Sequence, residues 1–295
     1  MNRLLETLFA KHQAWVERQD RVEREHAEWS LETLTAARLR RSRVLLIAGG
    51  AVGYRTALNM ARLPLGLLTL YPLTEADVEP LTQIVKQPQH TAKEVNRTPS
   101  AFRTDNFALF AARYRLVAFA VERPYPEAFE SANEACVRVE AAWTNVTMWG
   151  AEITLGPTVL PGTTACYHCY LRRRLSNTTR SEVWQAREQF LRNDPSFAFK
   201  GRVTPLVNLA SAFLTAEVSR FLTGAPAQLA LGHEVVYDGL SQTQTRSFVI
   251  PLEGCRVCGW LWPQASEADE SFVKMVRRAA LSSEETAYAG QSSSG

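Results

Sequence analysis

"SRVLLIAGGAVGYRTALNMARLPLGLLTLYPL", residues 42–73, decides the fold. Val44 to Ala48 is a short, β-rich apolar run of the kind that forms a strand buried on both faces. A turn of small residues follows, and the spacing predicts a helix from about Gly53 to Leu63. "GLLTLY" (66–71) then reads as a second strand. Strand, helix and strand in one stretch make a β-α-β unit, the opening of a doubly wound parallel sheet. The expected class is α/β, Rossmann-like, with a helical N-terminal extension.

Such a unit places a glycine turn against phosphates, because backbone N–H groups converge at the helix N-terminus. In "AGGAVG" (48–53), Ala48 stands where the first glycine of GxGxxG belongs. Gly50 and Gly53 hold the second and third places, and Gly49 completes the candidate cradle. An acid that holds ribose hydroxyls normally ends the second strand. Here the strand ends in Tyr71-Pro72, and Glu75 and Asp77 come a few residues too late. The turn is therefore expected to serve close helix–strand packing, and ATP binding is expected to be weak or absent.

Outward from this unit, "YRLVAFAVE" (114–122) reads as a buried strand and "EAFESANEACVRVE" (127–140) as a helix. "WTNVTMWGAEITLGPTVLPG" (143–162) reads as strands that turn at Gly156-Pro157 and Pro161-Gly162. "TRSEVWQAREQFLRN" (179–193) is helical. "TPLVNLASAFLTAEVSRFLTG" (204–224) is an apolar helix stopped by Gly224 and Pro226. "EVVYDG" (234–239) and "TRSFVIPL" (245–252) look like the arms of a strand pair. Residues 2–41 read as helical, with Ser30 as a cap. The expected division is 1–42 as the extension, 43–264 as the α/β domain, and 265–295 as a C-terminal helix and disordered tail.

Two cysteine pairs share one spacing: Cys166 and Cys169 in "TTACYHCYLRRRLSN" (163–177), and Cys255 and Cys258 in "PLEGCRVCGW" (251–260). Two CxxC pairs supply the four thiolates of a tetrahedral zinc site. Four thiolates leave no open position for water, so such a zinc holds structure and does not catalyse. The alternatives are a redox pair, which leaves the second CxxC unexplained, and two disulfides. Cys136 sits among apolar residues and is expected to be a buried core thiol. Arg172, Arg173 and Arg174 follow the first pair directly, as a solvated basic face or a contact for an acidic leader or partner subunit.

At 46% hydrophobic, the 295 residues suffice for a real core. A net charge of +3, from 33 basic and 30 acidic residues, gives no case for general nucleic-acid binding. No run approaches a membrane span and no apolar signal core opens the chain. The expected compartment is a reducing cytoplasm, which suits zinc thiolates better than disulfides.

"AGGAVG" in its β-α-β, "LVAFAVERP" (116–124), "NEACVRVEAAW" (133–143), "GPTVLPGTTACYHC" (156–169) and "GCRVCG" (254–259) together resemble the ThiF-like, ubiquitin-activating-type fold. "GPTVLPGTTACYHCYLRRRLSN" (156–177) is most similar to the ThiF-like partner proteins of azoline-forming peptide cyclodehydratases, from pathways for thiazole/oxazole-modified microcins and other ribosomally made peptides. The resemblance covers roughly residues 40–262. It implies a structural zinc on Cys166, Cys169, Cys255 and Cys258, and a role in binding a precursor peptide or bringing it to a YcaO-type protein. That partner uses ATP to close five-membered rings on the peptide; a homodimer is compatible with the same reading. Adenylating members carry an Asp where this chain has Pro72, and a metal-binding Asp where it has Glu122. These departures favour a passive role. Residues 1–42 are too few for the winged-helix module that usually binds the leader, which places leader recognition elsewhere in the complex. The rival reading is an ATP-dependent adenylating enzyme using Gly49, Gly50, Gly53, Glu122 and Arg55 or Arg62. A nicotinamide-linked oxidoreductase is weakest, since it leaves the four cysteines unexplained.

Overall fold

The computed structural model describes residues 31–87, 92–95, 105–178, 181–194, 197, 203–224 and 230–261. The helix expected over residues 2–30, Ser30 as the cap of the next helix, Pro226 and the segment 265–295 lie outside the described residues.

The first β-α-β unit forms as its sequence predicts. Strand β1 (Arg43–Ala48) is buried from Val44 onward, α2 (Gly50–Ala61) follows the helix α1 (Leu31–Arg41) and this strand, and β2 (Leu67–Pro72) pairs parallel with β1. The helix begins at Gly50, earlier than its apolar spacing suggested, because the glycines that open the turn also form its first turn. Next come α3 (Glu75–Val85), β3 (Ala92–Val95), α4 (Asp105–Ala111), β4 (Leu116–Ala120) and α5 (Pro126–Arg138). The second half holds β5 (Ala142–Trp149), β6 (Glu152–Leu155), α6 (Tyr167–Asn177), α7 (Ser181–Asn193), α8 (Thr204–Thr223), β7 (His233–Asp238) and β8 (Thr243–Phe248).

One eight-stranded sheet results, in the order β3-β2-β1-β4-β5-β6-β7-β8. The first five strands run parallel and the last three extend the sheet antiparallel. The chain winds from β1 to β2 in one direction and resumes at β4 on the other side. The ends of β1 and β4 therefore form a topological switch point, where open α/β sheets place their ligands.

Strand alternation divides the core. Val44, Leu46 and Ala48 of β1 and Leu116, Ala118 and Ala120 of β4 face α2, α3 and α8. Leu45, Ile47, Val117 and Phe119 face α4, α5 and α6, over an aromatic group of Phe129, Trp143 and Tyr167. The period of two in side-chain direction, applied to strands buried on both faces, requires these near-continuous apolar runs. Helix α8 spans 20 residues, about 30 Å at 1.5 Å per residue, long enough to cross from α2 to β6. It ends at Gly224, which takes the left-handed conformation (φ 73°). The hairpin between β5 and β6 turns at Gly150, not at Gly156-Pro157, which instead lies just past β6.

Candidate metal centre and glycine turn

At the switch point, Gly49 leaves β1 in an extended conformation and Gly50 turns with φ 65°. Gly53 faces backbone: a Cβ there would lie 2.7 Å from the Ala48 carbonyl carbon and 2.8 Å from the Ala120 oxygen. The third glycine of the turn thus has a steric reason independent of any ligand. The two amides at the start of α2 are already bonded. Gly50 N–H donates to Asp77 Oδ1 at 2.8 Å, and Ala51 N–H donates to Glu122 Oε1 at 2.8 Å. The other Asp77 oxygen accepts from the Thr74 amide (3.0 Å) and hydroxyl (2.7 Å), closing a capping box on α3. One aspartate therefore serves two helix N-termini. The Glu122 carboxyl lies 2.5 Å from where a Cβ on Gly50 would stand, so this position must be glycine for the carboxylate to approach.

This arrangement places negative charge where a helix N-terminus attracts it. A phosphate would seek the same amides, and would meet two carboxylates already on them. Asp77 is the group that spacing in sequence missed: the loop after β2 folds back across the turn. Arg123 lies beside this cluster, its guanidinium 3.9 Å from the centre of the Tyr125 ring. Burial raises the Tyr125 pKa, with Arg123 opposing and Asp77 and Glu122 adding to the rise. Of the arginines proposed to meet a departing pyrophosphate, Arg62 caps the far end of α2 and cannot serve. Arg55 is exposed on that helix.

On the other face of the sheet the two cysteine pairs meet. Cys166 stands at the N-cap of α6 and Cys169 lies in its first turn. Asn133 of α5 fixes this start: its side-chain oxygen accepts from Tyr167 N–H at 2.9 Å and from the Trp143 indole at 3.4 Å. The second pair sits on a tight knuckle after Gly254 (φ 65°), where Gly259 N–H donates to the Cys255 oxygen at 2.7 Å. The Sγ separations are 3.8 Å for Cys166–Cys169, 3.7 Å for Cys166–Cys255 and 3.6 Å for Cys169–Cys258, and all four sulfurs lie within 4.8 Å of one another. A zinc–sulfur bond of about 2.3 Å sets the edge of a tetrahedron near 3.8 Å. A disulfide needs about 2.05 Å, and all four cysteines are free thiols. All four are also buried, which withholds them from the thiol exchange that a redox pair performs. Leu252 N–H donates to Cys169 Sγ at 3.4 Å, a backbone bond that supports a thiolate.

The donor set fits a divalent cation of zinc's preference, and the electrostatics ask for one. Hydrogen bonds to Cys169 and Cys258, with burial, push the Cys166 pKa far above the ordinary thiol range. A bound cation reverses that balance by stabilising the thiolates. Cys136, in contrast, stands apart in α5, fully buried, its pKa raised by burial alone. It is the core thiol that its apolar neighbours predicted.

The arginine run after the first pair is mostly internal. Arg174 pairs with Glu234 of β7, and the Tyr170 hydroxyl donates to the same carboxylate at 2.6 Å. Arg173 donates to the Pro251 oxygen at 3.3 Å, just ahead of the second knuckle. Arg172 alone of the three is exposed. Two of the three thus fasten α6 to β7 and to the second cysteine segment, and neither the solvated face nor the partner contact describes them.

No protein-family model and no curated protein sequence matches the chain. Solved structures match its fold. E. coli MccB with ATP superposes with a TM-score of 0.59 at 17% identity, covering 77% of this chain and 69% of that one. The microcin C7 biosynthetic enzyme MccB in complex with N-formylated MccA gives 0.61 at 17% identity, covering 77% and 70%. PaaA gives 0.58 at 14% identity, covering 74% and 76%. The glycine turn and the cysteine centre described above are therefore built on a ThiF-like fold, the fold of MccB.

Proposed function

We propose that this chain is a non-adenylating, zinc-stabilised ThiF-like subunit of a ribosomal-peptide-modifying complex. It binds or presents a precursor peptide to a YcaO-type, ATP-dependent cyclodehydratase. The observation that carries this reading is the occupation of the α2 N-terminus by Asp77 and Glu122. An adenylating enzyme needs those amides for phosphate, and Pro72 ends β2 where a ribose acid belongs. The zinc on Cys166, Cys169, Cys255 and Cys258 then holds the two parts of the second half together and takes no part in chemistry. A subunit without reacting groups still accelerates a reaction, because holding substrate beside a partner's site raises its effective concentration. The structures with a similar fold favour peptide handling, since MccB is solved with MccA.

The test is reconstitution. The partner cyclodehydratase and precursor peptide are mixed with ATP, with and without this chain, and loss of one water per ring is followed by mass spectrometry. Ring formation that depends on the chain is expected; equal ring formation without it removes the reading.

A second reading, an ATP-dependent adenylating enzyme, is favoured by Glu122 at the end of β4, where a carboxylate can hold Mg²⁺. MccB, similar in fold, is solved with ATP. Calorimetric titration with Mg-ATP separates the two. Weak or absent binding is expected, and micromolar binding with pyrophosphate release on adding peptide promotes the enzyme.

A further inference from the structure

The two ends of the sheet carry opposite charge. The end bearing the glycine turn holds Glu75, Asp77, Glu122 and Glu127 around Arg123. At the opposite end, α1 closes with Arg38, Arg40 and Arg41, β1 begins at Arg43, and Arg113 and Arg115 precede β4. Glu140 is the one carboxylate in the described turns at that end.

Some of these cations have local work. Arg38 donates to the Thr223 oxygen and so caps α8, as a cation at a helix C-terminus should. The guanidinium of Arg43 stands 5.8 Å from the centre of the Tyr114 ring, and that of Arg113 stands 5.9 Å from the Phe110 ring. None of Arg40, Arg41, Arg43, Arg113 and Arg115 forms an ion pair with a described carboxylate. Arg43 and Arg115 are neighbours, the Arg115 amide bonded to the Arg43 oxygen at 2.9 Å. They stand at strand starts, outside the last turn of any helix, and like charges so placed repel. Between them and the end of α8 opens a basin of about 550 Å³, walled by Arg38, Arg41, Ser42, Arg115, Thr223 and Gly224.

We propose that this arginine basin is a docking site for an acidic peptide segment. Carboxylates satisfy guanidinium groups in two-point, charge-assisted pairs, and such a ligand supplies the anions that this cluster lacks among the described residues. A peptide fits better than a nucleic acid. The basin is a local hollow with room for a few side chains, whereas nucleic acid follows an extended basic stripe or groove. The net charge of +3 also leaves little long-range field to hold a polyanion. The proposal rests on the peptide-handling reading for its partner class, and adds a place on this chain that contacts the peptide.

The experiment needs the full chain alone. Fluorescence anisotropy is measured with a labelled oligoglutamate peptide, an oligoglutamine counterpart and a single-stranded oligonucleotide of equal charge. The glutamate peptide should bind at low salt and weaken as salt rises, and the glutamine peptide should not bind. The double variant R41S/R115S should weaken binding about tenfold. Both side chains are exposed, so its thermal midpoint should match that of the parent. Absent binding, equal binding by the double variant, or an oligonucleotide bound as tightly as the peptide would each overturn the basin. Peptide binding beside ring formation that does not need the chain would overturn the subunit reading and leave the basin standing.

Discussion

The glycine turn and the cysteine centre stand on opposite faces of one sheet and differ in what satisfies them. At the turn, the amides that would meet a ligand have partners from the chain itself: Asp77 on Gly50, Glu122 on Ala51, and Ala120 on Gly49. At the cysteine centre, four buried sulfurs lie within 4.8 Å of one another, three of the separations at 3.6–3.8 Å, and the backbone N–H groups of Leu252 and Cys169 are directed at two of them. The first site is complete without a ligand; the second asks for a cation. A motif's presence in the sequence is thus a poor guide to ligand binding. What decides is whether the protein has already supplied the ligand's chemistry.

Metal removal is the sharpest way to test this contrast. Structural zinc sites bind with roughly 10–16 kcal/mol, against a net stability of roughly 5–15 kcal/mol for a whole domain. Chelation, or Cys255→Ser, should therefore unfold the second half of the chain, seen as a collapsed thermal transition and loss of metal by elemental analysis. Full metal content and an unchanged transition in Cys255→Ser would break the comparison at its stronger side.

At the turn, the largest effect should come from packing. Gly53→Ala drives a methyl into the Ala48 and Ala120 backbone at 2.7–2.8 Å. Overpacking at such a site costs about 3 kcal/mol, read as a lower urea midpoint with the slope unchanged. A neutral result would mean that Gly53 is kept for a ligand after all. Arg174→Ser, near the cysteine centre, should cost about 2 kcal/mol. It leaves Glu234 without its pair, though partial exposure of Arg174 screens some of the loss. Arg172→Ser, on the same helix but exposed, should stay within about 0.5 kcal/mol.

The arginine pair also marks the boundary of what sequence makes legible. The convergence of the four cysteines was readable, because metal geometry constrains ligand spacing within each pair. The β-α-β core was readable because strands buried on both faces must be apolar throughout, as Val44 to Ala48 are. The arginine run was not, since Glu234 lies 60 residues from Arg174 and nothing local tells a fastened guanidinium from a solvated one. Gly156-Pro157 attracted the hairpin because Gly-Pro is the stronger turn signal, yet strand pairing put the turn at Gly150. Asp77 was set aside because it comes a few residues past the end of β2, and spacing along the chain does not show that the loop after β2 folds back beside Gly50.

A charge-removing variant tests the closed turn most directly. In the double variant D77N/E122Q each side chain keeps an amide oxygen that can accept from Gly50 or Ala51, but the two negative charges are gone and the amide nitrogen introduced at position 77 cannot accept from Thr74. The attraction between those charges and the α2 N-terminus is worth about 0.3–1 kcal/mol each, and the lost capping box adds about 1 kcal/mol, so stability should fall by about 2 kcal/mol. An anion should now compete for the amides. Added sulfate should raise the thermal midpoint of the variant above that in chloride at equal ionic strength, by mass action on the folded state. The parent should show only the smaller rise that sulfate's exclusion from the surface gives any folded protein, because its carboxylates repel the ion and already hold its donors. If the parent responds to sulfate as strongly as the variant, Asp77 and Glu122 yield readily to an anion. The turn would then be an available phosphate site, and the contrast with the cysteine centre would reduce to a difference in affinity.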